Sequence, residues 1–527
     1  MATVDNENSL NSSNATPKNP FNGDFAKFAE ETIKGWKVPG LSIAVVDDQD
    51  IFAEGYGFAT LPDKPATPET LWCGGSTAKG FTAASMAHLI DSKKYPSLFK
   101  GWATPISSII HDDFILQDEW MTTHITLEDA VSHRTGMPRH DRACFNELNG
   151  AAATPKDLVR NLRNLALTAE PRTKFMYNNW MYIVLSHVIE TLTGAGLGDV
   201  LKEQIWDPLG MDSTFLDLDQ AKAAPEHLAT GYYWDEEDNE FKPAADMKMQ
   251  EMRGTGAIFS NVLDYAKWLK CLLHEGTPFS KETHRDIRTP RMMGAMPMGG
   301  KDINMYGLGW QRTLYKGHVM YHNMGGVLAY GSQAYWFPDH RFAVVAFGNT
   351  CMSSNGAGEI LAYRLIDEKL GISEQDRLPH EAIWRGIIDY IGGSNDKAVS
   401  RLYPDQPDPP LPPTLNTSLL TGTYHDPGYG AITLREEPHP TRPDEMILLA
   451  DRPEMTWRYT LELHHVSGDH WVVYDKIIGI PNSLFNDFSA GEFRIGADGK
   501  VSSLDIHWES HVGPPMDEGV TSFRKIS

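Results

Sequence analysis

Between residues 403 and 416 the chain reads YPDQPDPPLPPTLN, with six prolines in fourteen positions. Proline fixes φ and offers no backbone N–H, so such a run can propagate neither a helix nor a central strand. It reads as a stiff spacer with a separate folding unit on either side. At 527 residues the chain is in any case too long for one hydrophobic core. Ahead of the spacer, helical and strand periodicities alternate. FAKFAEETIKGW (25–36), GFTAASMAHLIDSKK (80–94), HITLEDAVSHRTGM (124–137) and NVLDYAKWLKCLLHE (261–275) carry helical apolar spacing, the third closed by Gly136 and Pro138. LSIAVVDDQDIFAEGYGFAT (41–60) reads as two strands around an acidic turn, and residues 318–349 as three strands with turns at Gly325-Gly326 and Pro338–His340. Helices before and after a strand group predict an α+β unit rather than a βαβ series. Beyond the spacer, TGTYHDPGYGAITL, MILLAD, HWVVYD, GEFRIG and SSLDIHWES predict an all-β unit, a small barrel or sandwich. The expected division is a disordered leader over 1–20, a first domain over 21–400, the linker over 401–416 and a C-terminal β-barrel over 417–527.

The charge narrows the function. Acidic residues outnumber basic ones 70 to 47, a net charge of −23, which repels nucleic acid and anionic membrane surfaces. Four cysteines at 73, 144, 271 and 351 are too sparse for a disulfide framework, and no Cys/His cluster has zinc-ligand spacing, so neither metal nor cofactor is expected. The polar N-terminus has no apolar signal core, and no run of 18 apolar residues occurs, so a cytoplasmic protein with reduced thiols is expected. The Asn14-Ala15-Thr16 sequon then carries no meaning. The oligomeric state is left open, a homodimer being one option.

Ser76-Thr77-Ala78-Lys79 carries the chemistry. A serine and a lysine three residues apart share a face where a helix begins. The hydroxyl needs a base to become a nucleophile, and a desolvated lysine can be that base. The helix N-terminus adds backbone N–H groups for a developing oxyanion. S-x-x-K also occurs at Ser97, Ser394 and Ser522, so the pattern alone is weak. Only Ser76 stands between a strand hairpin and a long apolar helix. A second constellation is Tyr177-Asn178-Asn179. A tyrosine near a lysine can relay the serine proton and an Asn can orient a substrate carbonyl. The alternative is a buried tyrosine anchored by its hydroxyl ahead of a helix. Tyr321-His322-Asn323 repeats the spacing.

The order of Ser76-x-x-Lys79, then Tyr177-x-Asn179, then a Gly-rich strand near 325 resembles the serine β-lactamase-related family. That family holds class C β-lactamases, penicillin-binding DD-peptidases, D-aminopeptidases, esterases and statin acyltransferases. The segments ITLEDAVSHRTGMPRHD (125–141), FMYNNWMY (175–182), IWDPLGMDST (205–214), GTGAIFSNVLDYAKWL (254–269) and YGLGW (306–310) extend the resemblance over roughly 25–370. LTGTYHDPGYGAITL looks like the small lipocalin-like barrel appended to many bacterial members. The resemblance implies a β-lactamase/transpeptidase-like fold, an antiparallel sheet covered by helices with a helical lobe. It implies Ser76 as acylated nucleophile, Lys79 as its base, Tyr177 as proton relay and Asn179 as a substrate contact. The oxyanion hole would pair the Ser76 N–H with one from the Gly325–Val327 strand, Gly326 or Val327.

The third motif departs from the family's Lys-Thr-Gly, His-x-Gly or Trp-Gly-Gly. Here the strand reads Tyr321-His322-Asn323-Met324-Gly325-Gly326-Val327. Asn323 stands at the Lys/His position when aligned on the glycines, with His322 one residue out of register, and the Trp-Gly-Gly form puts Met324 there. His322 and Met324 share one face and Asn323 takes the other. With no assured cation for a substrate carboxylate, an ester, neutral amide or thioester of a small molecule is the expected substrate. Hydrolysis is the expected outcome, with acyl transfer to a metabolite, or a non-catalytic binding role, as alternatives. His133, His140 and Asp141 read as structural hydrogen-bonding residues, and Cys73 as a small buried packer.

Overall fold

The computed structural model describes residues 18–294, 302–393, 395–481, 483–510 and 516–527. Most of the expected leader, with Asn14, and the S-x-x-K serine Ser394 lie outside the described residues. The first domain is built on a nine-stranded antiparallel sheet. Within it Gly40–Asp47 pairs on one side with Asp50–Thr60 and on the other with Phe342–Gly348, Leu41 facing Gly348 and Val45 facing Val344. Outward from there run Tyr330–Phe337, His318–Val327 and Gln311–Tyr315. The central strands are buried on both faces, which is why they read as near-continuous apolar runs. Helices Gly23–Gly35 and Ser353–Leu370 cover one face through Phe25, Ile33, Leu361 and Leu365. On the other face Val262–His274 and Ala78–Ser92 pack through Tyr265 and Phe81 onto Val46 and Phe347. A helical lobe, including Pro155–Asn161 and Trp180–Thr193, closes over that side.

Two local expectations are corrected. Over 124–137 the helix is broken: His124 ends the helix Glu119–His124, and Leu127–Val131 forms a separate short one, started by a capping box between Thr126 and Asp129. The chain leaves the helix at Ser132 because His133 takes a left-handed φ of 57°, which ends the helical ladder. The expected turn at Gly325-Gly326 is strand. The ladder continues through Gly325↔Ser332 and Gly326↔Gly331, and the reversal falls between Val327 and Tyr330. Glycine is there for close approach: a Cβ on Gly325 would stand 2.0 Å from the Gly74 carbonyl oxygen.

After the spacer, eight antiparallel strands close into a barrel, the first (Gly422–Asp426) pairing with the last (Met516–Lys525) through Tyr424↔Lys525. Trp471, Leu461, Leu504 and Phe523 fill it. Two of its strands, Tyr459–Ser467 and Met516–Lys525, escaped the sequence reading. The proline-rich stretch does not hold the units apart but lies along the barrel. Leu411 N–H donates to Ser467 Oγ at 3.1 Å, and Thr414 Oγ1 donates to Asp469 Oδ2 at 2.7 Å.

The barrel mouth is docked against the first domain. Thr456 N–H donates to Cys144 O at 2.9 Å and Asn146 N–H to Glu454 O at 3.0 Å. Asn161 Nδ2 donates to Gly428 O, and Thr456 Oγ1 to buried Glu251 Oε1 at 2.6 Å. Arg142 reaches into the mouth, 2.9 Å from Asp475, 3.1 Å from Asp487 and 3.7 Å from Glu518, all four side chains buried.

Candidate active site

Ser76 follows the short strand Trp72–Gly75, and Thr77 separates it from the helix Ala78–Ser92. Gly75 makes the bend with φ 54°, a conformation that costs glycine little. The Gly309 turn of YGLGW packs on the first turn of that helix. A Cβ there would stand 2.7 Å from the Gly80 backbone.

Lys79 Nζ donates to Ser76 Oγ at 3.1 Å and to Thr255 O at 2.9 Å. Tyr177 OH donates to the same Ser76 Oγ at 2.9 Å, across 101 positions of sequence. The Lys79 ammonium lies 4.9 Å from the Tyr177 ring centroid and 5.5 Å from that of Tyr182. Lys79 is 1% exposed, and this burial pulls its pKa below the ordinary lysine value, opposed by Tyr177 and assisted by the nearby charge of Arg139. A lysine so desolvated can accept the serine proton through the contact it already makes.

Asn178 fixes the approach of Tyr177. Its Nδ2 donates to Met137 O and Pro138 O, and its Oδ1 accepts the Met181 N–H that opens the helix Trp180–Thr193. Asn179 Nδ2 donates to Asp141 Oδ1 at 2.9 Å, and Arg139 holds Asp141 Oδ2 through Nε and Nη2 at 2.9 and 2.7 Å. Arg139 also lies 5.5 Å from the Tyr177 ring. Asp141 makes the hydrogen bonds expected of it, and makes them to Asn179 and Arg139 beside Tyr177; Arg139 was not singled out from sequence. No spacing rule would have found either, because both come from the loop after the broken 127–131 helix.

Of the three residues competing for the third motif, the strand brings one to Ser76. Asn323 Nδ2 lies 2.8 Å from Gly309 O and 3.4 Å from Ser76 O, donating to both. His322 and Met324 are turned to the opposite face by strand alternation, His322 stacking on Tyr335 and Met324 being 42% exposed. The arginine near Tyr177 is Arg139, already paired with Asp141. Gly326 N would lie 3.0 Å from a Cβ on Gly75, so this strand borders the Ser76 turn directly.

Cys73 is buried and burial pushes its thiol up to about 12, leaving it inert as the sequence suggested. His140 bonds Tyr429 OH and Ala166 O. Among the described residues no group of three or more His, Cys, Asp or Glu could hold a metal ion. Among them also, no helix is long and apolar enough to cross a membrane. A cavity beside the site is bounded by Arg139 and Asp141 on one side and by Trp457, Phe485 and Glu518 of the barrel on the other.

The sequence profile of the beta-lactamase family matches residues 25–365. The chain belongs to the beta-lactamase family. The unguisins hydrolase ungD' of Aspergillus campestris is 37% identical over 514 residues, spanning 96% of this chain and 94% of that protein. The D-aminopeptidase of Brucella anthropi is 27% identical, over 67% of this chain and 63% of its own length. Among solved structures, the octameric penicillin-binding protein homologue from Pyrococcus abyssi superposes with a TM-score of 0.60 at 20% identity, covering 95% of this chain and 99% of that one. The D-amino acid amidase of Ochrobactrum anthropi superposes at 0.54 with 18% identity, over 66% of this chain and 99% of its own. These likenesses bear out the β-lactamase/transpeptidase-like fold with its barrel domain. This member of the beta-lactamase family is a serine hydrolase, and the non-catalytic alternative falls away.

Proposed function

We propose that this chain hydrolyses an amide bond of a small peptide-like molecule through an acyl-enzyme on Ser76. The observation that carries the reading is the convergence of Lys79 Nζ and Tyr177 OH on Ser76 Oγ, at 3.1 and 2.9 Å, with the lysine buried. Ser76 Oγ attacks the carbonyl carbon while its proton passes to Lys79. The oxyanion is received by the N–H group of Ser76 and that of Gly326, which borders the Gly75 bend. Tyr177, between the serine and the leaving nitrogen, gives its phenol hydrogen to the departing amine as the C–N bond breaks, and takes one back from the Lys79 ammonium beside it. Water then attacks the ester carbonyl and gives a proton to neutral Lys79; as the bond from the acyl carbon to Ser76 Oγ breaks, that proton passes to Ser76 Oγ and the acid leaves. Asn179, held by Asp141, and Asn323 flank the substrate. The cavity toward the barrel gives room for the rest of the molecule. The names of the relatives support an amide over an ester, since they are hydrolases of unguisins, D-aminopeptidases and D-amino acid amidases. In this reading residues 21–400 form the catalytic domain, 401–416 the linker and 417–527 the barrel.

The test is the intact mass of the protein after brief exposure to an activated p-nitrophenyl ester, followed by turnover of D- and L-amino acid amides and short peptides. One acyl adduct on wild type and none on Ser76→Ala is expected, with amide turnover lost in the variant. An adduct that survives Ser76→Ala, or turnover above a few per cent of wild type, sinks the assignment.

A further inference from the structure

His133 reads in sequence as an ordinary hydrogen-bonding residue, but it grips the segment that carries Tyr177 at three points. Its carbonyl accepts the Met176 N–H at 2.8 Å, and its Nδ1 accepts the Asn178 N–H at 3.1 Å. Between those two bonds its imidazole lies against the Tyr177 ring, centroids 4.5 Å apart and planes inclined by 36°. The left-handed backbone at His133, φ 57°, accompanies an arrangement in which carbonyl and ring face the same segment.

The contacts also fix the ring's tautomer. A backbone N–H only donates, so Nδ1 is the bare nitrogen and the neutral ring carries its hydrogen on Nε2. That hydrogen points to Tyr306 OH, 3.2 Å away. Tyr306 OH lies 3.5 Å from Tyr182 OH, which spends its own hydrogen on Val131 O at 2.9 Å. Phe175 packs edge-on against the fully buried imidazole, and the titratable groups facing it are three tyrosines, Tyr177, Tyr182 and Tyr306, and two cations, Lys79 and Arg139. Among the described residues, the charged groups acting on it are Lys79 and Arg139, with no carboxylate. Burial and both cations hold the imidazole well below its ordinary value, so it stays neutral and keeps its acceptor.

We propose that His133 is the positioning residue of the catalytic tyrosine: by holding the backbone on both sides of Tyr177 and packing its ring, it sets the phenol oxygen at hydrogen-bond distance from Ser76. This rests on the Ser76 acyl-enzyme reading. Tyr177 relays a proton within a contact of 2.9 Å, so a small rotation of its ring breaks the relay while leaving the substrate pocket in place.

His133→Asn places an acceptor near the position of Nδ1, whereas His133→Phe keeps a ring and removes the acceptor. Acylation by a p-nitrophenyl ester is followed for wild type, both variants and Ser76→Ala, as kcat, KM and pH profile, with thermal midpoints alongside. For His133→Phe the acylation rate is expected to fall about 30-fold or more with KM changed less than about threefold, and His133→Asn to recover most of the loss. A His133→Phe enzyme within threefold of wild type overturns the proposal, as does a loss shared equally by both variants and tracking their thermal midpoints. If His133→Phe does not fold, the ¹⁵N spectrum of wild type decides, its resonance identified by absence in His133→Asn. An Nε2–H tautomer unchanged down to pH 5 supports the proposal, and an Nδ1–H tautomer or a titrating ring overturns it. Acylation surviving in Ser76→Ala brings down both readings, whereas a silent Ser76→Ala beside an unaffected His133→Phe brings down this one alone.

Discussion

Lys79 is held between two demands: it must lose a proton to activate Ser76, and it is buried where its charge is costly. Both point the same way. Because the fold depresses its proton affinity, the neutral form becomes available below the ordinary lysine range, and kcat/KM is expected to rise with pH as Lys79 deprotonates. Lys79→Arg keeps the charge and cannot deprotonate. We expect it to lose about two to four orders of magnitude in kcat/KM and the rising limb together, with the pH–rate profile as the check. Stability follows the same sign. The folded state penalises the protonated lysine, so this residue's contribution grows as pH rises from the depressed value toward 10.5. Ser76, Lys79 and Tyr177 were legible because chemistry and spacing both mark them. Asn323 was not separable from His322 and Met324, since the choice depends on which face of a strand meets Ser76. Arg139 gave no signal, because its role comes from Asp141 and Asn179, which only folding brings beside it.

At the level of elements, the strand His318–Val327 and the turn before the Ala78–Ser92 helix are fitted backbone to backbone. Gly325 allows that fit, with no room for a Cβ against Gly74 O and with Ser332 Oγ donating to the same oxygen at 2.8 Å. Gly325→Ala is expected to push the strand off the turn, at a cost of about 1–3 kcal/mol in denaturant unfolding. Because Gly326 moves with it, acylation of Ser76 is expected to slow by about 10²-fold, the size of losing an oxyanion donor. A variant as stable and as fast as wild type would show that the strand is not tied to the turn. Glycine pairs read as turn signals from sequence, and here they mislead because close approach and turning call for the same residue. The 124–137 helix failed for a comparable reason: its apolar spacing is real, but His133 is needed in a non-helical backbone. The strand Met516–Lys525 was hidden by its polar residues, since a barrel strand can present them outward.

Across the whole molecule, the segment Arg139–Cys144 belongs to two structures at once. Arg139 and Asp141 face the site, while Arg142 faces Asp475, Asp487 and Glu518 in the barrel mouth. Arg142→Ala would leave three buried carboxylates without their cation. We expect a loss of about 3–5 kcal/mol, read as a lowered unfolding midpoint. The barrel would also loosen its hold, read as new protease cleavage between 403 and 416. Glu251, bound by Thr456 of the barrel, is raised to about 7 by burial. A carboxyl raised in the fold stabilises while it stays protonated, fully below its unfolded value of 4.5, and that contribution is lost as pH climbs through about 7. Glu251→Gln, which mimics the protonated form, is expected to flatten the stability slope between those values, and a slope unchanged in urea titrations would refute it. Contacts such as Arg142 with Asp475 join positions 333 apart, and no local pattern announces them. They also set a limit on modularity. The proline run invites cutting the gene there and grafting another barrel, but the true seam runs through residue 142. A chimaera would inherit a foreign lock for its own key, leaving Arg142 without Asp475, Asp487 and Glu518.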